Sequence, residues 1–88
     1  MTKELNLAVP SVHINGTSKQ ALLEDLTHAG HAIVQAISAL QMVAPHGRDY
    51  YPQGSDALRV ATSEHLARIQ KLQDILSEIA YIADKVAG

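Results

Sequence analysis

Two long stretches of this sequence repeat an apolar residue at alternating steps of three and four, and a proline- and glycine-bearing stretch separates them. That repeat constrains the fold more than anything else in the chain. Steps of three and four keep side chains on one face of a helix, whereas a half-buried strand would need steps of two. The first repeat runs Leu22, Leu26, Ala29, Ile33, Ala36, Leu40, Val43, widened by Leu23, Val34, Ile37 and Ala44. The second runs Leu58, Thr62, His65, Ile69, Leu72, Leu76, Ile79, Ala83, Val86, widened by Leu66, Ile75 and Ile82. Between them, Pro45, Gly47, Pro52 and Gly54 forbid a continuous helix. The expected architecture is all-α: an antiparallel helical hairpin in one domain, with helices over 17–44 and 55–87 and a loop over 45–54.

The ends of both helices carry signals. Thr17 with Gln20 three residues on fits a capping box, and Ser55 followed by Asp56 fits the start of the second helix. Gly30 interrupts the first helix and reads as a point of close helix approach. Glu64 and Arg68 are spaced for an ion pair one turn apart. Residues 1–16 form a short extended arm: Val9 to Ile14 alternates in part, Pro10 restricts it to an edge strand or an arm, and Asn15-Gly16 turns the chain. The arm either lies across a neighbouring subunit or is a loose terminus.

Both apolar faces are wider than one partner helix covers, so a lone hairpin would leave large apolar patches in water. An oligomeric helical bundle, with the homodimer as its simplest form, is therefore expected. Composition agrees with helix packing: hydrophobic residues make up 47%, but aromatics only 3%, with no Phe or Trp. A formal net charge of −2 argues against coating a nucleic acid polymer. Without cysteine there is neither a disulfide framework nor a thiolate zinc site. No stretch approaches the ~18 apolar residues of a membrane span, and the start lacks an apolar signal region. The expectation is a soluble cytoplasmic chain.

Chemistry-bearing motifs are few. No phosphate loop, nucleophile elbow, metalloprotease motif or carboxylate pair is present, so no catalytic residue and no cofactor is assigned and the chain is read as a non-enzyme. His28 and His31 have a spacing that metals accept, yet no carboxylate completes a set and a surface pair is the better reading; no metal site is assigned. His65 falls with Thr62 on the helix seam and reads as a buried polar spot satisfied across an interface. Two polar clusters remain as ligand candidates. Asn15, Thr17, Ser18 and Lys19 sit at a helix start, which offers amides, hydroxyls and the positive end of the dipole to an anion, or is simply a cap. Arg48, Tyr50, Tyr51 and Gly54 offer a guanidinium for phosphate and rings for stacking, or form a turn that covers the core. In a hairpin where facing residue numbers add to about 99, Tyr81 and Lys85 join the first cluster, and the two clusters lie ~40 Å apart in one chain. Antiparallel pairing of two hairpins would unite them in an inter-subunit pocket suited to a nucleotide-type ligand.

Three segments, His13-Ile-Asn-Gly-Thr-Ser18, Arg48-Asp-Tyr-Tyr-Pro-Gln-Gly54 and Glu64-His65-x-x-Arg68, resemble those of a group of small tailed-bacteriophage proteins. In form the expected bundle is also loosely similar to phage anti-defence sponges, helical oligomers that sequester cyclic nucleotide signals of bacterial immunity. This resemblance implies a phage protein in the cytoplasm of the infected host, holding such a signal between subunits. The alternatives are an inhibitor that occupies a host defence protein and a structural or assembly accessory.

Overall fold

The computed structural model describes residues 5–88, in which three α-helices follow one another: α1 (Lys19–Met42), α2 (Gly47–Tyr50) and α3 (Ala57–Ala87), with a single 3-10 turn, Tyr51–Gln53, between the last two. No strand occurs among the described residues. The first four positions of the expected arm lie outside them. From Leu5 to His13 the chain has no regular structure; Leu5, Leu7 and Val9 are half-buried while Asn6, Ala8 and Pro10 are exposed. A turn follows, closed by the Gly16 amide donating to the His13 carbonyl at 3.1 Å. His13 folds its ring over Gly16, where a Cβ would come within 2.7 Å of Nε2, so a side chain there requires the exposed His13 ring to move aside.

The helix starts differ from the sequence expectation. Ser18, not Thr17, caps α1: its Oγ accepts from the Ala21 amide at 3.1 Å. Gln20 does not reach back but donates to Glu24 at 3.0 Å one turn on. Asp56, not Ser55, stands before α3, without a side-chain cap bond, and its carboxylate pairs with Arg59 at 3.7 Å. Glu64 and Arg68 do not pair. The last turn of α1 closes on Val43, two residues before Pro45, whose ring disfavours a helical Ala44.

The long helices α1 and α3 pack along one another as a hairpin. A methyl built on Gly30 would lie 3.8 Å from Leu76 Cδ1, an ordinary contact, so the helices leave room there and do not approach unusually closely. This pairing corrects the expected register by about seven residues, roughly two turns. The cause is a difference in helix length, 24 residues in α1 against 31 in α3. The first two turns of α3 project past α1, and the short α2 covers them instead: a Cβ on Gly47 would sit 3.7 Å from Leu58 Cδ2. The seam shifts accordingly. Ile37 turns inward where Ala36 was expected, and Ala57 and Ala61 replace Leu58 and Thr62, but from His65 onward α3 follows its sequence repeat.

The result is a rod of 61 × 23 × 20 Å, with a radius of gyration of 18.3 Å where a compact chain of this length would have about 12 Å. Among the described residues only Ile69 and Val86 are buried apolar side chains, at 8% and 7% exposure. Val34, Leu66 and Ile75 stand exposed on the helices. The accessible surface is 6789 Å², about 1,700 Å² more than the roughly 5,000 Å² of a globular monomer of this mass. No helix among the described residues is long and apolar enough to cross a membrane.

Candidate ligand-binding site

The connection between the long helices is built, residue by residue, as a cap. Pro45 ends the helical path, and His46 uses Nδ1 to accept from the Arg48 amide at 3.3 Å, starting α2. This use of His46 leaves no mark in the sequence, because a four-residue helix has no periodicity to reveal it. Pro52 sits in the first turn of the 3-10 segment, where its missing N–H costs nothing. Gly54 then takes φ 113° and ψ 170°, a conformation essentially reserved for glycine, and redirects the chain into α3.

Two shallow depressions adjoin on this cap and share Tyr50, Gly54 and Ser55. The larger, about 530 Å³, also takes in Gln53, Asp56 and Glu64; the smaller, about 300 Å³, takes in Gly47, Tyr51 and Leu58. Tyr50 is half-buried between them, whereas Tyr51 is 78% exposed. Arg48 is exposed and lines neither. The wall charges of the larger depression are thus carboxylates, one of them paired with Arg59, and they repel a phosphate while accepting a neutral or cationic group.

The second cluster lies at the other end of the rod. Asn15, Thr17, Ser18 and Lys19 are all exposed at the start of α1, and the Ser18 hydroxyl is engaged in capping. Lys85 places Nζ 5.4 Å from the centre of the Tyr81 ring near the end of α3. With the corrected register, Lys85 is level with the first turn of α1, and Ser18 with the end of the chain. Tyr81, which the expected register set beside Ser18, falls about two turns from it, and the two clusters do not join within one chain: the 24 residues of α1 separate them by about 36 Å.

His28 and His31 are exposed on α1, and among the described residues no group of three or more His, Cys, Asp and Glu gathers as a metal set. His65 is different. At 6% exposure it is the one buried polar side chain among the described residues, and its Nε2 has no hydrogen-bond partner. A buried polar atom left unpaired costs about 1–3 kcal/mol. Beside it runs a groove of about 500 Å³, where Gln41, Gln70 and Gln73 join Leu66 and Ile69. The sequence marks His65 by its place on the seam, but not the glutamines, which fall outside the apolar repeat. No protein-family model, curated protein or solved structure matches this chain.

Proposed function

We propose that this chain acts by binding, not by catalysis, and does so as a self-assembled helical bundle. The uncovered surface carries this reading: the excess of about 1,700 Å² over a globular monomer exceeds the ~800 Å² that each partner contributes to a standard interface. Sedimentation equilibrium at micromolar concentration tests it. The expected mass is at least twice the 9.5 kDa of one chain, and a fully helical monomer would refute it.

In the fuller form of the proposal, two antiparallel hairpins set the cap of one beside the α1 start of the other. The pocket so formed would hold a cyclic nucleotide signal, as an anti-defence protein of a phage does in the host cytoplasm. The exposed Tyr51 ring supports this reading, since it offers a free face on which a base can stack. Because Asp56 and Glu64 oppose phosphate, the second copy must supply cations, from Lys19 or Lys85, to join Arg48. Incubation with cyclic dinucleotides and cyclic ADP-ribose isomers, then heat denaturation and analysis of what is released, tests this form. Release of none of them puts the inhibitor of a host protein first.

A further inference from the structure

We infer that a second copy of this chain docks antiparallel, about a two-fold axis, with Arg59 of each copy against Asp84 of the other. This rests on the self-assembly reading and deepens it by naming the face and what sets its direction. Helical phase defines the face. Steps of three, four and seven along α3 lead from Arg59 through Leu66, Gln70, Gln73 and Ser77 to Asp84, all exposed. A cation stands at one end of this line and a carboxylate at the other, about 37 Å away. Nothing charged lies between them on it. Arg59 holds Nε 3.7 Å from Asp56, yet its side chain is 72% exposed, so the outer nitrogens can take a second carboxylate.

A two-fold contact requires a surface that is its own complement when reversed, and a line with opposite charges at its ends is one. Full overlap of two α3 helices, whose midpoint is Leu72, pairs residues whose numbers add to about 143. Arg59 then meets Asp84, Gln70 meets Gln73, and the 60% exposed Leu66 lies over Ser77, which is small enough to leave it room. The first helix joins at the centre. Gln41 shares a groove with Leu66 and Gln73, which puts that side of α1 on the same flank. Val34, two turns before Gln41, is 50% exposed there. Since Gly30 lies beside Leu76, Val34 is level with Leu72, and the two copies of Val34 meet at the axis. The surplus area is enough for such a contact.

Charge excludes the other arrangements. The opposite flank of α3 carries Glu64, Lys71 and Glu78, and the same overlap there sets Glu64 against Glu78 and Lys71 against its own copy. Parallel docking on the uncharged line sets Arg59 against Arg59 and Asp84 against Asp84. The direction that remains is the one that brings the cap of one copy beside the α1 start of the other.

Sedimentation equilibrium of the full chain at low salt, where exposed charges act most strongly, tests the pairing. Arg59→Glu alone and Asp84→Arg alone should each weaken self-association about tenfold or more, because each turns two attractions into two repulsions. Mixing the two variants should restore it, since every contact then joins opposite charges. Arg68→Glu, the same change of charge on the other flank, should have little effect. Val34→Asp should weaken association about 30-fold or more with helicity retained, because two carboxylates then meet at the axis. A monomeric unmutated chain would overturn both this inference and the assembly reading. If the unmutated chain assembles, any of four results overturns this inference alone. They are assembly indifferent to Arg59→Glu and Asp84→Arg, a mixture no stronger than either variant, equal weakening by Arg68→Glu, and assembly that survives Val34→Asp.

Discussion

Gly30→Ala is the substitution on which sequence and structure disagree most sharply. A glycine inside a long helix suggests that another backbone passes too close for a side chain. Here an added Cβ meets Leu76 Cδ1 at 3.8 Å, an ordinary van der Waals distance. Nothing need move. Alanine then recovers the helix propensity that glycine forfeits, about 0.8–1.0 kcal/mol. A half-buried methyl against Leu76 adds a few tenths more by the removal of apolar area from water. The expected gain is therefore about 1–1.5 kcal/mol, which for a domain of this size raises the melting midpoint by roughly 4–10 °C. Urea denaturation followed by far-UV circular dichroism measures it, at one fixed protein concentration because self-association adds to apparent stability. The midpoint should rise while the slope stays constant. A fall in the midpoint would refute the reasoning, since it would mean that α1 and α3, or a second copy, close on Gly30 more tightly than 3.8 Å allows.

Gly54→Ala should do the reverse: no atom lies within 4 Å, but φ 113° is hostile to any side chain, so a loss of about 1–3 kcal/mol is expected in the same urea titration. Ser18→Ala should cost about 1 kcal/mol while Thr17→Ala and Ser55→Ala cost almost nothing, and thermal melts of the three will show which residues cap. Ile69→Ala should lose about 2–5 kcal/mol, against less than about 0.5 for the exposed Lys71→Ala, and equal effects would mean the helical phase of α3 is misplaced.

What the sequence made legible is what periodicity carries. The hairpin, and the inward residues of α3 from His65 to Val86, follow from steps of three and four. The register between helices did not follow, because α2 is too short to show a period, yet it takes over two turns of α3 and shifts every facing pair. Caps were located to within one residue: Thr17 and Ser18 are both good caps by chemistry, and only the path of the chain out of the His13–Gly16 turn selects Ser18. The candidate site was legible as two clusters and no further. Arg48, Tyr50, Tyr51 and Gly54 share the cap, and Asn15 to Lys19 share the far end with Lys85, but whether the two clusters meet depends on a second chain. The groove at His65 was half legible, since the histidine breaks an apolar seam whereas Gln41 and Gln73 look like ordinary solvated residues.

The overhang of α3 divides the rod into two parts that open at different cost. His65, Ile69 and Val86, the buried side chains among the described residues, all lie where α3 runs beside α1. Beside the turns from Ala57 to Glu64 lie α2 and the 3-10 turn, and Leu58 and Val60 there remain 37% and 44% exposed. Amide protons in those turns should therefore exchange with solvent through a local unlatching of the cap, well before the hairpin separates. The end of the molecule that displays Arg48 and the tyrosines should thus open on its own, while the length over which α1 and α3 run side by side stays closed.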